Sequence, residues 1–363
     1  MHGTEPASST ELTGLANRAK LNMNKPHITI HDIARELNIS ASTVSRALHN
    51  HPRISEATRA AVRKVAEKYN YQPNVVATSL RQGRSKTVGV IVPRINRNFF
   101  ANVIGGMEEV LAASGYHLMI CQTHEKLENE KTALQTLVNA RVDAIILSVS
   151  METSSDDHLR ALRERGIRLF FFDRIMESLN VGSVVIDDRL GAYLNVKHLI
   201  AQGYRKIMHV AGADHITIYR ARKMGYMDAM AEAGMDVFPE WIMEKTLELE
   251  GGEAAFHEGM KLKGKPEAFF CAGDFAALGV MQAARKSGMR IPDDLGVTGF
   301  ANEPFTAFLQ PSLTTVDQRG GEMGRIVAEM FMQCSDQETS DPGCGKTVLK
   351  PRLIIRDSSN PNR

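Results

Sequence analysis

The sequence contains no apolar run approaching the roughly 18–20 residues that a membrane-crossing helix needs. Its opening stretch, MHGTEPASSTELTGLANRAKLN, has no apolar core of the kind a secretory signal carries. Cysteine is scarce: Cys121, Cys271, Cys334 and Cys344 show neither CxxC nor zinc-type spacing, so four free thiols in a reducing cytoplasm are expected. There is no GxSxG, no P-loop, no HExxH and no GxGxxG between a strand and a helix. The commonest hydrolase, nucleotide-cradle, zinc-peptidase and dinucleotide signatures are therefore missing. The 12 histidines are scattered, several of them in a basic N-terminal region. No catalytic residue, metal or cofactor is expected, and the chain does not read as an enzyme. No short-period repeat is present.

What the sequence does have is a core-forming composition and a lopsided charge. With 363 residues, 43% of them hydrophobic, the chain is long enough for two or three domains. Between Asn24 and Lys86 there are 11 Lys and Arg against 4 Asp and Glu, a surplus of +7. The formal total is +2, so the remainder carries −5. A basic block on an otherwise acidic chain suggests a polyanion partner at that end.

Residues 1–23 are rich in Ser, Thr, Ala and Asn without apolar periodicity and read as a disordered extension. Met23 immediately precedes the first organised segment and is a second candidate start. Residues 24–72 read as three short helices. Thr29 caps the first, with Asp32 as its capping-box partner; Ser40 caps the second and Ser55 the third. From Thr87 the pattern changes to short apolar runs: TVGVIVP, YHLMIC, VDAIILS, RLFFFD, SVVID, KIMHVAG, EAFFCAG and LGVTGF. Helical stretches such as Phe99–Ser114 and Tyr193–Gln202 separate them. Apolar strands alternating with helices predict parallel sheets covered on both faces, and the number of strands predicts two lobes.

The segment IHDIARELNISASTVSRALH, residues 30–49, has the form of a helix-turn-helix. Its second helix must slide into the DNA major groove, so its outward residues have to be small and polar. Ala41, Ser42, Thr43, Ser45 and Arg46 meet that demand. Ala41 can touch a thymine methyl, Ser42 a base edge or phosphate, and Arg46 a guanine or phosphate through its planar fork. Thr43, Ser45 and Arg53 are candidate phosphate anchors. Thr29, Ser40, Asn50 and Tyr71 complete the DNA-side candidates in the head.

These residues, together with ISEATRAAVRKVAEKYNYQPNVVATSLRQGRSKTVGVIVP at 54–93, closely resemble the lactose-repressor/galactose-repressor family of bacterial transcription regulators. The likeness runs on through FFDR, GYRKIMHVAG, RARKMGY, AGDFAALGVMQA, IPDDLGVTGF and PSLTTVDQ. It implies an all-α helix-turn-helix head followed by an α/β, two-lobed sensor like a periplasmic binding protein, with two doubly wound parallel sheets. It also implies a cytoplasmic homodimer, without a membrane partner, that reads a pseudo-palindromic operator in double-stranded DNA. The region 73–86 becomes a hinge, in which Asn74, Ala77, Leu80 and Arg81 approach DNA and Leu80 wedges a minor-groove base step. The sensor is expected over 87–358, the first lobe from 87–185 and 317–337, the second from 186–316 and 346–358, with 359–363 as a tail. A C-terminal heptad run is absent, which argues against a tetramerising tail.

Ligands of such sheets bind at the carboxyl ends of the strands. That rule points to Pro93–Phe99, Ser148, Asp173-Arg174, Ala272–Asp274, Phe300–Asn302 and Gln318, with Phe99 or Phe100 to cover an apolar sugar face, and the resemblance adds Arg222 as an effector clamp. Asp187, Asp188 and Asp293 read as helix caps. Two departures from the family pattern stand out: Gly299-Phe300-Ala301-Asn302 lacks an acid, and Gly273 precedes Asp274 where the family often has Asn. Both remove hydroxyl-gripping groups, so a sugar acid or phosphorylated sugar is as credible an effector as a neutral sugar. A transport-type solute-binding protein is the main rival, opposed by the head and the missing signal.

Overall fold

A computed structural model describes residues 28–71, 84–335 and 345–361. It divides into two compact units at Gly83.

In the first unit, α1 (Ile30–Glu36), α2 (Ala41–Leu48) and α3 (Glu56–Lys68) form where the caps predict. The Thr29 amide and hydroxyl both donate to Asp32 Oδ2, at 2.9 and 2.7 Å. Ser40 Oγ accepts from Thr43 N at 3.1 Å, and Ser55 Oγ from Thr58 N at 3.3 Å. Each helix is followed by an asparagine in the left-handed region (Asn38, Asn50 and Asn70), the non-glycine residue that tolerates it best. The apolar stripes meet in one small core of Ile33, Ala34, Val44, Ala47, Val62, Val65 and Ala66.

The second unit carries two parallel sheets. The first has the order β11-β5-β4-β3-β1-β2, from β1 (Thr87–Val92), β2 (His117–Gln122), β3 (Ala144–Leu147), β4 (Leu169–Phe172), β5 (Ser183–Ile186) and β11 (Lys346–Leu349). The second has the order β7-β6-β8-β9, from β6 (Ile207–Ala211), β7 (Ile242–Glu244), β8 (Ala268–Cys271) and β9 (Gly296–Thr298). β10 (Thr315–Asp317) and β12 (Arg352–Ile354) pair antiparallel beside it, Thr314 bridging to Thr298. Both sheets are doubly wound. α4 (Asn98–Ala113) and α11 (Gly320–Ser335) bury Val103, Met107 and Phe331 against Val88 and Val90 of β1. α5 (Leu127–Asn139) and α6 (Asp157–Glu164) bury Leu134, Leu137, Leu159 and Leu162 on the opposite face. Around the second sheet, α7 (Asp188–Ala201) and α8 (Thr217–Glu232) cover Ile207 and Phe270, while α9 (Leu249–Gly259) and α10 (Asp274–Lys286) cover Met208 and Phe269. α4 and α11 touch backbone to backbone, since a Cβ on Gly106 would collide with Gly321 O.

Two expected boundaries change. Lys346–Leu349, assigned from sequence to the second lobe, pairs in parallel with β5 of the first, from Lys346 against Ser183 to Leu349 against Ile186. As a short edge strand with alternating exposure it lacks the continuous apolar signature that marked the central strands. The chain therefore crosses between lobes three times, after Ile186, Asp317 and Leu349. Ser359, expected to start a tail, is buried: its hydroxyl meets Thr314 Oγ1 at 2.7 Å and His198 Nε2 at 2.8 Å. Cys121 and Cys271 are free, whereas Cys334 is disulfide-bonded, against the expectation of four thiols.

Candidate functional site

On the head, α2 turns Val44 and Ala47 into the core, and this fixes which residues face out. Ser42 and Arg46 are exposed and Thr43 and Ser45 half-buried, whereas Ala41, expected on the outward face, is half-buried against the head core on the side of Val44. Ser40 Oγ is shared between the Thr43 amide and the hydroxyls of Ser42 and Thr43, each 2.8 Å away, so its role is the cap. Thr29 is likewise committed to Asp32, whose carboxyl these bonds hold below its ordinary pKa. Asn50 accepts from Arg63, and Tyr71 packs on the head core, where burial raises its phenol pKa. Arg35, Arg59 and Lys68 are paired with Asp32, Glu56 and Glu36. Arg46 and Arg53 have no carboxylate partner among the described residues, which leaves them as charges open to a phosphate or base. Asn74, Ala77, Leu80 and Arg81 lie outside the described residues.

In the sensor, the strand ends of the two lobes enclose a cavity of about 210 Å³. Phe99, Phe100, Asp173, Arg222, Asp274, Phe300 and Gln318 line it, as expected from sequence. Ser148 and Asn302 do not. Ser148 sits behind the wall, its hydroxyl 3.4 Å from Asp173 Oδ2, and Asn302 Oδ1 accepts from Arg356 Nη2 at 3.0 Å.

Arg222, on α8, lies flat over Phe300 with its central carbon 3.7 Å from the ring centroid. Nε donates to Asp188 Oδ1 at 2.8 Å, Nη2 reaches the same oxygen at 2.7 Å, and Nη1 donates to Ala272 O at 2.7 Å. Three of five donors are thus spent, leaving one N–H on each terminal nitrogen without a partner among the described residues. Asp188 is therefore the counter-ion of Arg222; its reading as a simple cap falls to Asp187, which accepts from Leu190 N at 2.9 Å. Burial pushes the Asp188 carboxyl up to about 6 against the pull of Arg222. Asp173 is also raised by burial, opposed by Arg174 and Arg222, and its Oδ1 is buried without a hydrogen-bond partner among the described residues. Asp274 is committed differently: Thr315 Oγ1 donates to it at 2.6 Å and Glu303 N at 2.8 Å, and burial lifts it to about 6.

Sequence reasoning reached only part of the charged rim. Arg94, Arg97, Glu125, Arg174, Lys245, Glu248 and Glu303 also line the cavity. Arg94 and Arg97 fall inside Pro93–Phe99, and Arg174 stands with Asp173, so the strand-end rule reaches these three. Glu248 and Glu303 sit on loops with no such signal. Glu303 corrects the expectation that the family's acid after Phe300 is missing: it supplies, one residue later, the carboxylate that Gly299–Asn302 lacks. Every arginine or lysine of the wall has a carboxylate within 4 Å: Arg94 and Arg97 meet Glu248, Arg174 meets Glu125 at 2.7 Å, Arg222 meets Asp188 at 2.7 Å, and Lys245 meets Glu258 at 2.8 Å.

A helix-turn-helix with a small polar outer face, followed in one chain by a two-lobed sheet sensor around a polar cleft, defines a ligand-responsive DNA-binding regulator. Residues 29–74 match the family described as bacterial regulatory proteins, lacI family, and residues 85–343 match the periplasmic binding proteins and sugar binding domain of LacI family. The chain belongs to the lacI family of bacterial regulatory proteins. It is 31% identical over 330 residues to the ribose operon repressor of Haemophilus influenzae, covering 91% of this chain and 98% of that one. It is 32% identical over 333 residues to the transcriptional repressor PurR of Photobacterium profundum, with the same two coverages, 91% and 98%. Among solved structures, the lac repressor dimer bound to operator and the anti-inducer ONPF shares the fold, with a TM-score of 0.80 at 23% identity over 92% of this chain and all of that one. The regulator CelR in complex with cellobiose aligns with a TM-score of 0.69 at 26% identity, covering 91% of this chain and 99% of that one. No helix among the described residues is long and apolar enough to cross a membrane.

Proposed function

We propose that this regulator is a cytoplasmic repressor that binds a pseudo-palindromic operator as a homodimer and answers to a small, neutral, polyhydroxylated ligand in the interlobe cleft. One observation carries the ligand class. The wall keeps an unpartnered buried acceptor, Asp173 Oδ1, and two open donors on Arg222, while each of its cations already faces a carboxylate. A sugar hydroxyl can donate to Asp173 and accept from Arg222, and Phe99, Phe100 and Phe300 supply apolar faces for a sugar ring. A phosphate would find the charge of every wall cation already balanced by a carboxylate. The names of the relatives support the rest: two are repressors, one of a ribose operon, and the lac repressor structure is a dimer on operator.

The coupling is a population shift. Ligand held by both lobes biases their arrangement, and with it the spacing of the two hinge segments, Leu80 among them, on the operator. A coupling free energy of about 1–3 kcal/mol changes operator affinity roughly 5–150-fold. The test is to capture fragments of the host genome with the purified protein at near-physiological salt, where non-specific binding fades. The enriched site is then titrated with neutral sugars and with sugar phosphates. A pseudo-palindrome answering to a neutral sugar is the expected result. A response confined to the phosphates would reject the neutral-ligand reading, and no enrichment above background would reject the operator reading.

A further inference from the structure

α4 begins at Asn98 without a cap of its own. Its N-cap residue is Arg97, whose side chain makes no capping hydrogen bond. Amides of a helix's first turn have no acceptor within the helix, so each needs a partner from elsewhere. Two other sensor helices find one nearby: α7 uses Asp187, and Leu127 N at the start of α5 donates to Glu152 of the same lobe at 3.2 Å. For Asn98 N the partner is Glu303 Oε2, 3.3 Å away and in the opposite lobe.

Glu303 is held for this reach. Its amide donates to Asp274 Oδ2 at 2.8 Å, and its carbonyl accepts from Thr306 Oγ1 at 2.6 Å, so its backbone is pinned on both sides. Its side chain is nearly buried, 7% exposed, on the cavity wall. The preceding residue of the first lobe is gripped as well. Arg97 pairs with Glu248 of the second lobe, and its guanidinium carbon lies 3.8 Å from the centroid of the Phe275 ring, also of the second lobe. Three groups of one lobe thus converge on two consecutive residues of the other. Those residues open the helix that carries Phe99 and Phe100, the apolar side of the cavity.

We infer that Glu303 is a positioning residue: it caps α4 from across the cleft and, with Glu248 on Arg97, clasps the two lobes together beside the cavity. The inference rests on the reading of the cleft as the effector site, and it adds that the protein's own groups bond the two lobes across it. The effector then strengthens or weakens an existing clasp. Opening the cleft strips α4 of its cap, so lobe motion and the order of the Phe99–Phe100 wall become one event.

The experiment uses the full chain without added ligand. Ketone-bearing residues in place of Glu128 and Lys263, exposed positions in opposite lobes, carry spin labels and leave the native cysteines alone. Their distance distribution is compared between the wild type and Glu303→Ala/Glu248→Gln. The clasp requires a longer-distance population in the double variant beyond the wild-type distribution. Glu303→Gln, which keeps an acceptor oxygen, should stay close to wild type. Hydrogen exchange in the peptide spanning 97–101 should accelerate roughly fivefold in Glu303→Ala, the fold-change that losing one helix cap entails. Superimposable distance distributions, or unchanged exchange in that peptide, overturn the inference. If the double variant does not fold, Arg97→Leu gives the distance readout with both carboxylates kept, and Glu303→Ala alone gives the exchange readout. No ligand enters these measurements, so their failure leaves the effector reading standing; that reading fails separately, in the sugar titration.

Discussion

The Arg222 guanidinium rests 3.7 Å from the Phe300 ring centroid while its Nε donates to Asp188 Oδ1 at 2.8 Å. One side chain is thus both the counter-ion of a buried carboxylate and the donor facing the cavity. Arg222→Ala should abolish the effector response, and it should also destabilise the sensor by about 3–5 kcal/mol, because Asp188 is left as an unpaired buried charge. Asp188→Asn in the same chain should recover much of the stability and none of the response. Lysine is a poor substitute, since it can neither lie flat on Phe300 nor fork. Thermal unfolding and effector titration of the three variants separate the two roles; a normal response in Arg222→Ala would remove the residue from the site.

Asp274 gives a pH signature with a definite sign. Burial raises its carboxyl from 3.8 to about 6 in the fold. Between those values the folded chain holds a proton that the unfolded chain has lost, so this group's contribution is fully present below pH 3.8 and is lost as pH rises through about 6. The span corresponds to at most about 3 kcal/mol. Asp274→Asn removes the titration while keeping an acceptor for Thr315. Asp188 titrates in the same range, so the diagnostic quantity is the stability difference between wild type and Asp274→Asn. That difference should move against the wild type from pH 4 to 6 and then level off. A difference flat across that window in denaturant unfolding contradicts the assignment.

The reach of sequence reasoning follows how each signal is encoded. The helix caps at Thr29, Ser40 and Ser55 were legible because capping acts over three residues of local chain. Eight strands, β1 to β6 with β8 and β9, were legible because sheets covered on both faces favour continuous apolar runs. β7, β10, β11 and β12 were not: each is three or four residues long, and KTVL and RLI carry no such run. Of the nine residues expected in the cleft, seven line it: six stand at or beside strand ends, and the seventh, Arg222, came from the family resemblance. The misses are instructive. Asn302 has the right position but turns its side chain to Arg356, and Glu303 lacks the position but reaches the cavity. Side-chain direction in a loop depends on tertiary partners such as Asp274, which local sequence does not encode.

Ser40 and Ser42 are chemically alike, and the structure gives them different work. Ser40 Oγ accepts the Thr43 amide as the cap of α2, whereas Ser42 is exposed on the outer face. Ser40→Ala should cost the head about 1 kcal/mol, seen as a lower melting temperature of its helical circular dichroism. Its operator affinity should fall evenly over all operator variants. Ser42→Ala should leave the melt within about 0.5 kcal/mol of wild type and change which base pair is preferred under one helix. A Ser42→Ala head that melts early, or a Ser40→Ala head that switches base preference, would reverse the assignment.

Arg46 decides whether α2 reads a base or only grips the backbone. It is exposed on the outward face of α2 and has no carboxylate partner among the described residues, so its charge is available to DNA. The two fates differ in more than affinity. A phosphate contact releases a counterion, so Arg46→Ala would weaken binding to all operator variants alike and reduce the salt slope by about one per head. A bidentate contact to guanine would instead cost about 1–3 kcal/mol at a single base pair and flatten preference there, with the other positions unaffected. Its place in the last turn of α2, away from the helix N-terminus that leads into the groove, favours the phosphate. Binding of wild type and Arg46→Ala to a panel of single-base operator variants at several salt concentrations resolves the two. A loss confined to one base pair, with the salt slope intact, would make Arg46 a base reader and shift the backbone grip to Arg53.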